Sequence, residues 1–255
     1  SEILFRAIRI MIKWFSKFGK NKLLPIDFSV LKTDVHSHLI PAIDDGAQTL
    51  EESLELISAL QDLGFSKLIT TPHTMSDVYK NTPEIINSGK EKVQQKLQEL
   101  NNKILFEAAS EYYVDFEFQN EIGKKEFLVF GSKYILIEFP FIEAPKNMED
   151  IIFKLQLQGY NVVLAHPERY LYYTIKDYKK LVNKGVFLQL NLLSITGFYS
   201  PEVKKQSATL IKENLISFVG TDCHNMRQAE ELKRCFTNPL WHQLLDSGKL
   251  LNSYL

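Results

Sequence analysis

Five of the six histidines in this 255-residue chain lie in short polar motifs of the kind that bind metal ions. Three of these motifs directly follow runs of apolar and β-branched residues, which predicts that their imidazoles stand where strands end. The carboxyl ends of parallel strands converge at one end of a barrel, so rings placed there can reach a common ion. These histidines are His36, His38, His73, His166 and His224.

Carboxylates accompany the histidines at the same predicted strand ends. They are Asp44 and Asp45 in the first loop, Glu111 and Glu138 at two later strand ends, and Asp222 before His224. Alternate side chains of a strand point the same way, so His-x-His and Asp-x-His pairs face one ion. Mixed imidazole and carboxylate ligands suit Zn, Fe or Mn. There are too many ligands for one ion, which predicts two or three ions that share bridging carboxylates.

The chemistry that such a site favours is hydrolysis of a phosphoester. Metal ions lower the pKa of a water molecule and neutralise charge on the substrate oxygens. Arg169 offers a planar fork of N–H donors for a phosphate, and its alternative role is a salt bridge with Glu168 or another acid. Spacing alone does not decide between Asp44 and Asp45 as the ligand from the first loop.

Nucleophilic catalysis by cysteine is not expected. A cysteine-dependent phosphatase needs an arginine six residues after its cysteine, and Ala229 and Trp241 occupy those positions after Cys223 and Cys235. Two cysteines also argue against a disulfide scaffold and suit a reducing cytoplasm. The sixth histidine, His242, lies in a late amphipathic stretch and is expected to pack against its surroundings or face solvent.

The segments that must position these residues alternate between apolar strands and helices. We predict about seven βα units from residue 33 onward, which implies a parallel sheet, and a barrel fits the length better than an open sheet. The predicted strands are 33–35, 67–71, 104–110, 134–137, 161–165, 187–191 and 217–221. The predicted helices are 49–63, 83–100, 147–158, 175–183, 201–213 and 227–236.

Bulk composition indicates an ordinary globular domain with a basic extension. Hydrophobic residues make up 45% and charged residues 24% of the chain, and the net charge of −1 supplies no basic field for nucleic acid. We predict a basic amphipathic extension over residues 1–27 and a single catalytic domain over 28–255. Residues 1–24 fit a helix that rests on an anionic membrane surface, or alternatively a terminal helix packed on the domain or a disordered lead-in.

Four motifs together resemble the PHP-domain tyrosine-protein phosphatases, members of the polymerase and histidinol phosphatase superfamily encoded with bacterial capsule and exopolysaccharide genes. They are Asp34-Val-His-Ser-His-Leu-Ile-Pro-Ala-Ile-Asp-Asp-Gly46, Thr70-Thr-Pro-His73, Ala165-His-Pro-Glu-Arg169 and Gly220-Thr-Asp-Cys-His-Asn225. The resemblance runs from about residue 28 to the end. It implies a distorted (β/α)7 barrel and three metal ions, with manganese expected and iron or zinc as alternatives.

The resemblance also implies a role for each residue. It places a first ion on His36, His38, Glu111 and Asp222, a second on Glu111, Glu138 and His166, and a third on Asp45, His73 and His224. It favours Asp45 over Asp44, adds Asp45 and His73 to the catalytic set, and gives Arg169 the phosphoryl group to bind. It leaves the role of Arg227 open. The family often carries a second arginine a few residues after the Asp-x-His pair, but here Arg227 comes early and position 229 is alanine.

The activity implied by the resemblance is hydrolysis of phosphotyrosine on an autophosphorylated bacterial tyrosine kinase of polysaccharide export. The expected location is the cytoplasm, with peripheral contact at the inner face of the cell membrane. Tyr79, Tyr112 and Phe198 are candidates to flank the phenyl ring. The alternatives are another PHP phosphoesterase acting on histidinol phosphate or a nucleotide, an amidohydrolase, and a non-catalytic metal-binding regulatory domain. An amidohydrolase usually needs a lysine where this chain has Glu111.

Overall fold

The computed structural model describes residues 23–255, in which strands and helices alternate along the chain. The strands are β1 (Thr33–Asp34), β2 (Lys67–Thr70), β3 (His73–Thr74), β4 (Leu105–Ala108), β5 (Glu111–Tyr113), β6 (Tyr134–Glu138), β7 (Asn161–Ala165), β8 (Phe187–Asn191) and β9 (Phe218–Gly220). The helices are α1 (Leu50–Asp62), α2 (Pro83–Glu99), α3 (Phe116–Glu121), α4 (Met148–Leu157), α5 (Ile175–Asn183), α6 (Pro201–Lys212), α7 (Met226–Glu231) and α8 (Pro239–Ser247).

The paired strands are parallel and form a curled sheet in two parts. β1, β2 and β4 form one part, and β3, β5, β6, β7, β8 and β9 form the other. β3 continues β2 and β5 continues β4 after short breaks, so the residues that the structure describes provide seven strand positions. A parallel bridge between Ser37 and Cys223 brings the last strand position back to the first. The distorted (β/α)7 barrel expected from the sequence is confirmed.

Alternate strand residues pack inside the barrel, and the residues between them pack under the helices. The interior cluster includes Ile69, Leu136, Val163 and Phe218. Their outward-facing neighbours, among them Leu68, Ile137, Leu164 and Val219, belong to the larger core beneath the helices. Because both faces of the strands are covered, their sequences read as nearly continuous apolar runs.

The C-terminal segment closes the amino end of the barrel. Leu251 and Leu255 pack against the interior cluster. The fully buried Asn252 accepts a hydrogen bond from Val219 N at 3.1 Å and donates to the carbonyl oxygens of Thr33 and Val219 at 3.0 and 2.7 Å. One side chain thereby joins β1 to β9, at the opposite end from the predicted ligands.

Residues ahead of β1 pack against the last helices. Phe28 is fully buried, and its ring centroid lies 5.1 Å from those of Phe65 and Phe236 and 5.4 Å from that of Trp241. Trp241 Nε1 donates to Ile26 O at 2.9 Å. The predicted N-terminal amphipathic helix lies almost entirely outside the described residues. Among the described helices, none combines the length and the apolar character needed to cross a bilayer.

The structure differs from the predicted elements mainly at short helices and strand breaks. The predicted helix 227–236 is instead α7 followed by a 3-10 helix over Leu232–Cys235, and the chain then turns into α8, which the sequence analysis did not predict. Asn238 caps α8 by accepting from Leu240 N at 2.9 Å, and Pro239 occupies its first turn. α3 was also missed, since six residues carry too little periodicity to be recognised.

The contacts of Asn252 predict a large effect on stability. Replacement of Asn252 by leucine leaves buried backbone groups of Thr33 and Val219 without partners, which is expected to lower the free energy of unfolding by roughly 2–4 kcal/mol. Urea denaturation followed by circular dichroism measures the change. Tyr254→Ala is the control, because Tyr254 lies in the same C-terminal turn and is 82% exposed. Equal unfolding midpoints for the two variants would contradict this account of barrel closure.

Candidate metal centre

The nine side chains predicted as metal ligands come together at the carboxyl end of the barrel. Ligand atoms lie within 4.8 Å of one another in each of three overlapping groups, which are His36, His38, Glu111 and Asp222; His38, Asp45, His73 and His224; and His73, Glu111 and Glu138. His166 joins them through Nε2, which lies 2.9 Å from Glu111 Oε1 and 3.5 Å from Glu138 Oε1. The convergence expected from strand-end placement is therefore present.

Glu111 lies at the centre of the cluster and is fully buried. Its Oε2 is 3.2 Å from His36 Nε2 and 3.0 Å from His73 Nδ1. Burial alone would raise the pKa of the Glu111 carboxyl, but the nearby rings of His36 and His73 hold that pKa well below its usual range. Burial, and then the charge of Glu111, raise the pKa of Glu138. Carboxylates this close together need positive charge between them.

Two features of the rings fit a bound cation. The Nε2 atoms of His36 and His38 lie 3.3 Å apart, and both face Asp222 Oδ1, at 3.3 and 3.4 Å respectively. His73 Nδ1 is buried and has no partner in hydrogen-bond geometry, although Glu111 Oε2 lies 3.0 Å away. Imidazole nitrogens that point at one another and at carboxylate oxygens are arranged as ligands around shared ions, so this donor set fits a transition metal.

The structure separates the roles of the two adjacent aspartates in the first loop. Asp44 Oδ2 accepts from His38 Nδ1 at 2.7 Å and from His73 N at 3.1 Å, while Asp44 Oδ1 accepts from Gly46 N at 3.0 Å. Asp44 therefore orients the His38 ring through Nδ1 and leaves Nε2 of that ring to face the site. Asp45 faces the cavity, with Oδ1 3.6 Å from His73 Nε2 and 3.4 Å from His224 Nε2. Of the two, Asp45 is the one that lies within reach of His73 and His224, as the resemblance implied.

Unusual backbone conformations turn two of the predicted ligands into the site. His166 has a φ of 31° and Asp222 a φ of 50°, both in the left-handed region that residues other than glycine seldom adopt. Each residue comes directly or shortly after its strand, so the change of direction aims a side chain that regular pleating would place elsewhere. Such strain is retained where the surrounding structure stabilises it, as at functional sites.

A cavity of about 510 Å³ opens beside the ligand cluster and contains Arg169. The guanidinium of Arg169 lies 4.4 Å from the ring centroid of Phe141 and 5.0 Å from that of Tyr199. Its Nη1 is 3.5 Å from Asp222 Oδ2. Glu168 is buried and accepts instead from Asn191 N at 3.0 Å. The alternative salt bridge of Arg169 is therefore with Asp222, and its donors remain next to the cavity.

Several residues named in the sequence analysis lie away from the cavity. The prediction that Tyr112 flanks the phenyl ring of the substrate is wrong. Alternation along β5 turns Tyr112 into the outer core, where its hydroxyl accepts from Leu128 N at 2.8 Å. The next residue, Tyr113, lines the cavity instead. The same prediction for Phe198 is also wrong. Phe198 packs against Tyr199, and the guanidinium carbon of the exposed Arg227 lies 5.6 Å from its ring centroid.

The remaining histidine and the cysteines also lie apart from the site. His242 in α8 contacts Phe236 O through Nε2 at 3.1 Å. Cys223 and Cys235 are buried, and burial raises the pKa of both thiols, that of Cys235 to about 12. An unreactive role is therefore indicated for both cysteines.

Two kinds of site residue were not predicted from the sequence. Phe141 and Tyr199 line the cavity from loops, where no periodic pattern marks a residue. Gln189 and Asn191 of β8 are fully buried in the interior, and their hydrogen bonds lead to His36 and Asp222. The sequence did contain a signal for Gln189 and Asn191, because they are alternate polar residues at the end of an otherwise apolar strand.

Comparisons with known proteins agree with this architecture. A solved structure described as YwqE from Bacillus subtilis and CpsB from Streptococcus pneumoniae, metal-dependent tyrosine phosphatases, matches with a TM-score of 0.72 and 32% identity over 87% of this chain and 94% of that one. The zinc-bound histidinol phosphate phosphatase of Lactococcus lactis matches with a TM-score of 0.51 and 14% identity over 85% of this chain and 94% of that one. The second likeness shows the fold alone.

Sequence relatives extend the agreement. The tyrosine-protein phosphatase YwqE of Bacillus subtilis is 32% identical over 231 residues, which cover 86% of this chain and 90% of the relative. The tyrosine-protein phosphatase CpsB of Streptococcus agalactiae is 27% identical over 201 residues, which cover 76% and 83%. The model of the capsular polysaccharide synthesis family CpsB/CapC matches residues 32–239. This chain, with its ligand cluster at the end of a (β/α)7 barrel, therefore belongs to the CpsB/CapC family.

Proposed function

We propose that this protein is a metal-dependent protein-tyrosine phosphatase. The observation that carries the proposal is the position of Arg169, held between two aromatic rings beside a cluster of imidazole and carboxylate ligands. A fixed guanidinium next to metal ligands suits a phosphoryl group better than an amide. The names of the relatives and of the solved structure with 32% identity support the same activity.

Three ions would occupy the cluster under this proposal. His36, His38, Glu111 and Asp222 would hold the first, Glu111, Glu138 and His166 the second, and Asp45, His73 and His224 the third. Bound ions would supply an activated water molecule and neutralise charge on the phosphate oxygens. Manganese is the proposed ion, and iron or zinc would fit the same donors.

The chain's own residues would bind and orient the phosphate ester. Arg169 would pair with phosphoryl oxygens beside the ligand cluster and stabilise charge that builds up during transfer. A hydrogen bond from His224, which outweighs partial burial, lowers the pKa of Asp45 to about 2. Asp45 is therefore a carboxylate throughout the neutral range, which suits a ligand and not a proton donor.

The walls of the cavity fit an aromatic ester. Tyr79, Tyr113, Phe141 and Tyr199 line it, and Tyr79 stacks on His73 with ring centroids 5.6 Å apart. A phenyl ring between such walls gains contact area and favourable ring geometry that an alkyl phosphate lacks. The proposed substrate is accordingly phosphotyrosine in a protein. The match to a capsular polysaccharide synthesis family supports an autophosphorylated tyrosine kinase of capsule or exopolysaccharide export as that protein.

The basic segment at residues 1–24 supports a further proposal from its sequence. Six basic residues and one acidic residue there would hold the enzyme near the anionic inner face of the membrane. Deletion of residues 1–24 is expected to weaken binding to anionic vesicles and to leave hydrolysis of a small aryl phosphate unchanged. Equal vesicle binding by both forms would contradict membrane contact.

The main test measures metal and activity in the same preparation. Mass spectrometry is expected to find bound transition metal, and hydrolysis of a phosphotyrosine peptide is expected to stop with chelator and return when metal is restored. Histidinol phosphate and a nucleoside monophosphate should be poorer substrates. Activity that survives complete metal removal, or that persists in His38→Ala, would refute the mechanism.

The adjacent aspartates provide a matched pair for the metal assignment. Asp44→Ala removes a buried carboxylate with three N–H partners, so it is expected to lower the unfolding free energy in chelator by roughly 2–4 kcal/mol. Asp45→Ala should change that stability by less than about 0.5 kcal/mol yet reduce the bound metal per chain. Denaturation in chelator and metal analysis of the purified variants separate the two effects. The reverse pattern would reassign the ligand to Asp44.

The two arginines near the cavity give a second matched pair. Arg169→Lys is expected to reduce kcat/KM for a phosphotyrosine peptide by roughly 100-fold or more, because an ammonium cannot bind two phosphoryl oxygens in a fixed plane. Arg227→Lys should remain within about threefold of the unmodified enzyme, since Arg227 lies over Phe198 outside the cavity lining. Steady-state kinetics with both variants fully loaded with metal test this difference. Equal losses would place Arg227 in the phosphate site.

The aromatic lining predicts which substrates are affected by its removal. Tyr113→Ala is expected to raise KM for a phosphotyrosine peptide by roughly 5- to 10-fold, the loss of about one ring–ring contact, with a smaller change for a phosphoserine peptide. Tyr254→Ala, at the other end of the barrel, is the control. If both peptides lose affinity equally, the ring contact is not the source of selectivity.

A further inference from the structure

β8 occupies an unusual place among the described strands that surround the metal centre. The ends of β1, β3, β5, β6, β7 and β9 each provide or lead to a predicted ligand, whereas β8 presents the amides of Gln189 and Asn191. Both residues are fully buried in the interior. A buried amide costs free energy unless its donors and acceptor are paired, so their partners show what they do.

The two amides form a continuous chain of hydrogen bonds between two predicted ligands of one ion. Asn191 Nδ2 donates to Asp222 Oδ2 at 2.6 Å. Gln189 Nε2 donates to Asn191 Oδ1 at 3.0 Å. Gln189 Oε1 lies 2.7 Å from His36 Nδ1. The chain thus runs from a carboxylate through two amides to an imidazole.

The direction of every bond in this chain follows from Asp222. An ionised carboxylate only accepts, so Asn191 must present its amino group there and its carbonyl oxygen to Gln189. Gln189 must then donate with Nε2, which leaves Oε1 as an acceptor facing His36. His36 has to donate from Nδ1, which leaves Nε2, facing Glu111 and Asp222, as the ring nitrogen available to an ion.

The surroundings hold this chain in place. A Cβ on Gly220 would lie 2.8 Å from Gln189 Nε2 and 2.6 Å from His36 Cβ, so glycine at this position leaves room for the contact. Glu168 Oε1 holds the backbone of Asn191 in place, since it accepts from Asn191 N at 3.0 Å and from Ser194 Oγ at 2.6 Å. The amides therefore have little freedom to flip.

We propose that Gln189 and Asn191 are positioning residues that form a one-way amide relay and fix both His36 and Asp222 for metal binding. The relay holds the His36 ring as the Nδ1–H tautomer and ties back Asp222 Oδ2, so that Oδ1 faces the ion. This inference rests on the metal centre in the proposed function, but it does not depend on the identity of the substrate. Partners of this kind typically contribute about 10- to 100-fold to metal affinity.

The test compares Gln189→Met with Gln189→Glu. Methionine has similar length but accepts poorly, so the Nδ1–H of His36 should lose its hydrogen bond, and Zn²⁺ affinity should fall by about 10- to 100-fold. Glutamate still accepts from His36, so it should preserve the hydrogen-bonded Nδ1–H signal. Long-range ¹H–¹⁵N spectra of the metal-free protein report that Nδ1–H signal, and competition with a chromophoric chelator reports Zn²⁺ affinity. Gln206→Met is the control, since Gln206 on α6 donates to Tyr173 O and not to a residue of the relay.

Asn191→Ala provides an independent arm if Gln189→Met fails to fold in chelator. It removes the partner of both Asp222 and Gln189 and should also weaken Zn²⁺ binding by about 10-fold or more. Zn²⁺ affinity within twofold of the unmodified protein in either folded variant would overturn the relay, as would an unchanged Nδ1–H signal of His36 in Gln189→Met. A protein that binds Zn²⁺ through the relay but does not hydrolyse phosphotyrosine would refute only the proposed activity.

Discussion

The burial of Glu111 is the constraint on which the rest of this structure depends. A carboxylate shielded from water costs several kcal/mol unless charge and hydrogen bonds compensate. Here His36, His73 and His166 surround it at 2.9 to 3.2 Å. Those rings come from three different strand positions, so the barrel must be closed and in register before the compensation exists. Folding and metal binding are accordingly expected to stabilise each other.

The sequence predicted the cluster well because its signal is local. Each ligand lies within a few residues of an apolar strand, and the fold brings strand ends together whatever the helices do. What failed depended on register and tertiary context. Tyr112 and Tyr113 are adjacent, and only the pleat of β5 decides which faces the cavity. Spacing did not fail for Asp44 and Asp45 but left the choice open, because it fits both and only hydrogen bonding distinguishes them.

The two histidines of the first motif receive different support from behind. His38 Nδ1 contacts a carboxylate, Asp44, whereas His36 Nδ1 contacts the neutral amide of Gln189. A charged acceptor forms a stronger hydrogen bond with a ring N–H than a neutral acceptor does. The two rings, although only two residues apart and similar in sequence context, are therefore electronically distinct donors. The His-x-His motif does not reveal this difference, because the partner of His38 lies 6 residues away in the sequence and the partner of His36 lies 153 residues away.

Asn252 has a consequence for the order in which the molecule forms. It bonds to Thr33 and Val219, and the barrel also closes through contacts between Thr221 and Asp34. Contacts spanning most of the chain form late, since their loop-closure entropy is the largest. During synthesis, β1 and its histidines emerge early but must wait for the C-terminal turn. Completion of the metal centre therefore depends on contacts between residues up to 219 positions apart in the sequence.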